Sequence, residues 1–191
     1  MHTAAKPYLS EQDYLDQERN ALDRSEYYNG KLFPMPPAKA NHSKIVAAVT
    51  ALLGFFLKYK EYAVMNTQMR IYNADKSFFV YPDVVVTDGN EKYSDIEFDN
   101  LLNPIIVAEV FSITTQDYDR GTKFMLYRSI PSLKHYVLIS SLEHSIEIYT
   151  RDGKQWILNT ANGLEDELYL SAIDYRFKLK DMYVQVPNLG K

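Results

Sequence analysis

The sequence predicts a mixed α/β chain of the α+β kind, with a central mixed β-sheet flanked by helices. Short β-branched runs such as Val84-Val85-Val86 and Ile105-Ile106-Val107 lie between turn residues, as strands do. Ile45, Val49, Leu52 and Phe56 recur at helical spacing. The order of elements (a helix, strands, a helix, more strands) is mixed rather than regularly alternating. At 191 residues without internal repeat, low-complexity segment or linker, one domain spanning residues 1–191 is expected.

The elements follow in order. Ser10-Glu11-Gln12-Asp13 resembles a capping box and opens a helix ending near Ala21. Asn29-Gly30 sits between Glu26-Tyr27-Tyr28 and Lys31-Leu32-Phe33, and a two-residue Asn-Gly loop favours the turn that suits strand twist, so a hairpin is expected. Pro34, Pro36 and Pro37 make an irregular stretch, after which Asn41 is expected to cap the helix carrying Ile45 to Phe56. Strands are expected over Tyr62–Tyr72, Phe78–Val86 and Ile105–Phe111, with a polar loop from Asp88 to Asn103. Thr114 to Asp117 caps a helix running to about Ser129, before Pro131. Val137–Ile139, Ser145–Tyr149 and Gln155–Leu158 complete the strands, with a turn at Arg151-Asp152-Gly153, and Leu179–Val186 forms a closing helical turn.

Composition excludes several chemistries. No cysteine is present, so disulfides, thiolate nucleophiles and Cys-ligated zinc are ruled out and a cytoplasmic location is the default expectation. The segment Met1–Pro7 lacks the apolar stretch of a signal peptide, and no run is expected to approach a membrane span. A net charge of −4 argues against a broad, non-specific nucleic-acid surface while leaving room for a local basic groove. His2, His135 and His144 have no metal-ligand spacing, and His42, at a helix start, reads as a cap or surface residue. Neither a Gly-X-Ser-X-Gly pattern around Ser112 nor a glycine-rich phosphate loop occurs. The 16 tyrosines serve equally as core edge, dimer interface or base-stacking platform and assign nothing alone.

Two acids break this apolar patterning. Asp83 lies in Tyr81-Pro82-Asp83-Val84-Val85-Val86 and Glu109 in Ile105-Ile106-Val107-Ala108-Glu109-Val110-Phe111. A buried carboxylate needs a cation, a metal or a dense set of hydrogen bonds. Alternation places Val107, Glu109 and Phe111 on one face of their strand, while Asp119, Lys123 and Tyr127 share a helix face, and Gly121 permits close approach of that helix to the sheet. Lys123 can therefore reach the Glu109 strand from a rigid element.

These segments, together with Asp117-Tyr118-Asp119-Arg120-Gly121-Thr122-Lys123, Tyr127-Arg128, Pro131-Ser132-Leu133 and the upstream Glu26-Tyr27-Tyr28-Asn29-Gly30-Lys31-Leu32 and His42, resemble the Uma2 family. The resemblance extends from about Ser10 to Val186, with Phe111 and Ile113 departing from the family's strand-end segment. It implies a restriction-endonuclease-like core of the PD-(D/E)XK superfamily, and a metal-dependent endonuclease acting on nucleic acid, DNA first. It further implies Asp83, Glu109 and the Val110 backbone carbonyl as ligands of Mg²⁺ or Mn²⁺, Lys123 as the assisting cation, and Glu26 as an outer-shell acid. Gln68 and Tyr127 are further outer-shell candidates, and Arg70, Arg120 and Arg128 are candidate phosphate contacts or plain surface cations. A homodimer without membrane attachment is expected.

Bland alternatives stay open at this stage. Asp83 can satisfy turn amides, Glu109 and Lys123 can form a non-catalytic buried pair, and Lys123 can pair with Asp119 on a solvated face. The corresponding alternatives for function are a catalytically silent nucleic-acid-binding or protein-interaction domain and a metal-dependent hydrolase of small molecules.

Overall fold

The computed structural model describes residues 8–186 and 188–189; the expectations for Met1–Pro7 and His2 lie outside the described residues. The chain runs α1 (Glu11–Glu18), β1 (Ser25–Tyr28), β2 (Lys31–Pro34), α2 (Ala40–Leu57), β3 (Ala63–Asn66), β4 (Arg70–Asn73), β5 (Phe78–Val80), β6 (Val84–Thr87), β7 (Asn100–Leu101) and β8 (Ile106–Phe111). There follow α3 (Gln116–Tyr118), a π-helical segment (Asp119–Lys123), α4 (Phe124–Tyr127), β9 (His135–Ser140), β10 (Ile146–Asp152), β11 (Gln155–Ala161), β12 (Glu167–Leu170), β13 (Tyr175–Lys178) and α5 (Leu179–Met182). A five-stranded sheet has the order β2-β1-β5-β4-β7, a six-stranded sheet the order β11-β10-β9-β8-β6-β3, and β12 pairs with β13. Both larger sheets are mixed, through the parallel pairs β4–β7 and β8–β9.

The strands expected over Tyr62–Tyr72 and Phe78–Val86 each divide between the two sheets. Asn66 breaks the first: its side-chain oxygen accepts the Gln68 N–H and its carbonyl accepts the Met69 N–H, an Asx-type turn between β3 and β4. Pro82 breaks the second, because it has no N–H to continue a ladder. Asp83 accordingly lies at the junction just before β6 rather than within a strand.

Other corrections are local. Helix α2 begins at Ala40 with Lys39 in the cap position and no side-chain cap, so Asn41 lies inside it. Its buried face is Ile45, Ala48, Val49, Leu53 and Leu57, leaving Leu52 and Phe56 half-buried at the edge. By length and composition this 18-residue helix is apolar enough to cross a membrane, contrary to the expectation that no run comes near, and here that face packs on the six-stranded sheet. Helix α1 stops at Glu18, short of Ala21, although Ser10 caps it by accepting the Asp13 N–H. The Asp88–Asn103 loop contains β7, and the β12–β13 hairpin was not anticipated. Gly121 faces open space where a Cβ would stand, so it serves no close approach.

Alternation on β8 and β6 sorts the core. Val84, Val86, Ile106, Ala108 and Val110 pack with α2 and α5, while Val85, Val107 and Phe111 pack with Leu126, Tyr127 and the five-stranded sheet. A third cluster joins Tyr14 and Leu15 of α1 to Tyr27 and Phe79. Glu109 shares the parity of Val107 and Phe111, so it points between the two sheets.

The β1–β2 turn has both Asn29 (φ 45°) and Gly30 (φ 80°) left-handed, the conformation that joins a tight hairpin. A Cβ on Gly30 would meet the Tyr8 ring at 2.3 Å; Tyr8 is exposed and can swing aside, whereas the φ cannot relax. Gly30→Ala is expected to cost about 1–2 kcal/mol, read as a lowered midpoint in thermal unfolding; an unchanged midpoint would mean the turn changes type.

Candidate active site

The register of the six-stranded sheet brings the two acids together. β6 runs antiparallel to β8 with Val84 opposite Ala108, so Asp83 stands where the ladder ends. There one carboxylate oxygen, Oδ2, accepts the Val110 N–H at 2.7 Å. Asp83 and Glu109 are both buried.

Lys123 reaches the same point from the helix. The segment Asp119–Lys123 is π-helical, a form that appears mostly as single-turn bulges at functional positions. Lys123 Nζ lies 2.9 Å from Glu26 Oε1, 3.0 Å from Glu109 Oε1, 3.9 Å from Asp119 Oδ1 and 3.5 Å from the Tyr81 carbonyl. One turn on, the Tyr127 hydroxyl donates to Glu109 Oε1 at 2.7 Å. The lysine and Asp119 are buried, not on a solvated face.

Glu26 joins from the five-stranded sheet. It is buried, and besides Lys123 it accepts the Tyr81 N–H at 3.0 Å, tethering the residue that precedes Pro82-Asp83. His42, in the first turn of α2, completes the group: Nδ1 lies 2.8 Å from the Val110 carbonyl and Nε2 3.1 Å from Asp83 Oδ1. Sequence spacing offered no signal for it, since its contacts span 41 and 68 positions of the chain.

Four carboxylates thus crowd one lysine and one imidazole, and proton affinities respond. Burial foremost, with the charges of Asp83, Asp119 and Glu26, holds the Glu109 carboxyl well above its usual range against the pull of Lys123. Burial likewise raises Asp119, again opposed by Lys123. For Lys123, burial alone would favour the neutral amine, but Glu109, Glu26 and Asp119 outweigh it and keep the ammonium charged well past its ordinary range. His42 is raised as well: burial opposes the charge, and Asp83 with the Val110 carbonyl overcomes that opposition.

All of these groups open onto a cavity of 760 Å³. Its walls include Phe33 through Lys39, Thr67, Ser112, Thr115 and Tyr118. Gln68 is not brought there: it is exposed in the β3–β4 turn beside the lining residue Thr67. Nor are the three candidate phosphate contacts. Arg70 is buried and paired with Asp99, Arg120 pairs with Glu147 over the Phe111 ring, and Arg128 lies exposed over Phe124.

Among the described residues, no group of three or more His, Cys, Asp or Glu side chains stands arranged to hold a metal. The available donors are two carboxylates and a main-chain carbonyl in surroundings with surplus negative charge, which is the chemistry that hard divalent cations take. By that donor set Asp83, Glu109 and the Val110 carbonyl fit such an ion, with His42 now bonded to two of the three.

Comparison with known proteins agrees with this architecture. The chain is 31% identical over 172 residues to the Synechocystis "Uncharacterized protein sll1609", covering 90% of this chain and 97% of that one. It is 32% identical over 183 residues to "Uncharacterized protein slr1290" of the same organism, covering 95% and 94%. A crystal structure titled as a putative nuclease belonging to DUF820, from Anabaena variabilis, superposes with a TM-score of 0.75 at 14% identity, covering 91% of this chain and 96% of that chain, which establishes the shared fold. A family model described as "Uma2: Putative restriction endonuclease" matches residues 11–180, and the chain belongs to the Uma2 family.

Proposed function

We propose that the protein is a metal-dependent endonuclease that hydrolyses phosphodiester bonds of nucleic acid, with Asp83, Glu109 and Lys123 as its reacting group. The observation that supports this most is the convergence of Asp83, Glu109 and Lys123, from three separate segments, at one buried point open to a cavity. Asp83, Glu109 and the Val110 carbonyl would hold Mg²⁺ or Mn²⁺, which supplies Lewis-acid polarisation of the phosphate and an acidified water when bound.

The chain's own residues divide the remaining work. Lys123, kept protonated by three carboxylates, serves as a fixed positive charge for the developing phosphoryl oxygens and not as a base. Glu109 Oε1 is taken by Lys123 and Tyr127, which leaves Oε2 to reach the ion, for which the group must be a carboxylate. Glu26 and Tyr127 orient the lysine and the glutamate. A second reading, a catalytically silent domain, draws support from Lys123 having Glu26, Glu109 and the Tyr81 carbonyl to satisfy its three N–H groups.

Cleavage of supercoiled plasmid and labelled single strands with Mg²⁺ or Mn²⁺ separates the two readings. Asp83→Asn keeps an acceptor for the Val110 N–H, so it is expected to stay folded by circular dichroism while losing metal binding in calorimetry. Its cutting rate should fall at least about 100-fold, since Lewis-acid stabilisation is worth several kcal/mol and each 1.4 is tenfold. Cutting and metal affinity that both survive in this variant would sink the proposal; a parent with neither would favour the silent domain.

A further inference from the structure

Three features beside the acids remain unexplained by the proposed chemistry. The first is Phe33. Strand register sets it directly opposite Glu26 in the β1–β2 hairpin, so it leaves the same face as the carboxylate that grips Lys123. Phe33 is half-buried and lines the cavity, leaving part of its ring open to it.

The second is Tyr118. Its ring stacks on Phe33 with centroids 5.7 Å apart and planes 24° from parallel, and lies 5.8 Å from Lys123 Nζ. Its hydroxyl is buried beside the Glu26 carboxylate, and the residue lines the cavity.

The third is the supply of positive charge. Duplex binding rests on many phosphate contacts, typically about 6–10 for a specific protein. Here Arg19, Arg70, Arg120 and Arg176 are engaged in ion pairs, and among the described residues the cationic side chains lining the cavity are Arg24, Lys39 and Lys123 with His42 beside them. Arg24 is itself bonded to the Thr67 carbonyl. At 760 Å³ the cavity has the size of a pocket for a compact ligand, within the range of about 300–1,000 Å³, and its floor residues Glu109 and Asp83 are buried.

We propose that the site takes an unpaired strand of nucleic acid, and that the stacked Phe33–Tyr118 pair receives a base from the nucleotide next to the scissile phosphate. The proposal rests on the nuclease reading and narrows its substrate to single-stranded nucleic acid. Stacking on an aromatic ring is indifferent to base identity and to the 2′-hydroxyl, because every base presents a π-face. A duplex has its bases already stacked on one another and cannot offer one to the Phe33 ring without unpairing.

Fluorescence anisotropy of the full chain in Ca²⁺, which takes the same oxygen ligands, tests this with a labelled oligodeoxynucleotide, the same strand annealed to its complement, and the oligoribonucleotide of equal sequence. The single strands are expected to bind at least about tenfold tighter than the duplex. Phe33→Ala should weaken single-strand binding by about tenfold, the loss of one stacked base, while remaining folded by circular dichroism, and Phe33→Trp should restore it. Tighter binding of either single-stranded chemistry supports the proposal. Equal or tighter duplex binding, or Phe33→Ala with parental affinity, overturns it and leaves the nuclease reading standing. No binding of any of the three probes, together with no cutting, overturns both.

Discussion

Lys123→Met destabilises the protein by roughly 3–5 kcal/mol at neutral pH, measured by urea unfolding, because it strands buried carboxylates without their cation. Glu26 and Glu109 lie 2.9 and 3.0 Å from the ammonium and Asp119 3.9 Å away, all three buried. Methionine fills the space of the aliphatic stem, so a cavity contributes little and the effect is electrostatic. The loss should grow as pH rises, since Glu109 and Asp119 carry raised proton affinities and become fully charged only above their folded pKa values. Adding Glu109→Gln should recover part of the loss, with a coupling of about 1–3 kcal/mol in the double-mutant cycle. A loss under about 1 kcal/mol would mean that water reaches the cluster. Lost cleavage in a Lys123 variant would therefore report lost folding as much as lost catalysis, which is why Asp83→Asn carries the activity test.

Acidification from pH 6.5 to pH 4 should remove roughly 3 kcal/mol of stability through His135 alone. This side chain is buried, and every ring nitrogen is used in the neutral form: Nδ1–H donates to Thr150 Oγ1 at 3.1 Å, while Nε2 accepts the Ala172 N–H at 3.1 Å and lies 3.2 Å from Ser171 Oγ. Burial pushes its pKa down to about 4 from the ordinary 6.5. The unfolded chain takes up a proton near 6.5 and the folded chain only near 4, so between these values the unfolded state binds more protons and stability rises with pH. The contribution is complete above pH 6.5, declines as pH falls through this window, and levels off below pH 4. In His135→Gln the slope across the window should flatten; a parental slope in that variant would assign the acid sensitivity to other groups.

Much of the fold could be read from local pattern, and the failures have a common cause. The Asn29-Gly30 hairpin, the α2 core face from Ile45 to Val49, and the β8 and β10 strands follow from periodicity and turn chemistry. Missed were the positions where one residue changes the chain's destination. Asn66 and Pro82 each transfer it from one sheet to the other, and an apolar run gives no sign of which sheet it will join. Asp83, Glu109 and Lys123 stood out because charge in apolar surroundings needs compensation. His42 stood out only through the family resemblance and by local pattern read as a cap or surface residue, since its partners are a carbonyl 68 residues away and a carboxylate 41 away. Phe33 was hidden for a similar reason: only the register with Glu26 tells which way it faces.

The division between two sheets also has a mechanical side. Glu26 belongs to the five-stranded sheet and Glu109 to the six-stranded one, and Lys123 bonds to both. Near the site the chain passes from one sheet to the other through Tyr81-Pro82-Asp83. A relative slide of about 1 Å would carry a 3.0 Å contact to the limit of ion-pair reach without breaking a rung of either ladder. Lys123 thus stands as a polar rivet across the joint, beside the apolar contacts of Val85, Val107 and Phe111 with the five-stranded sheet.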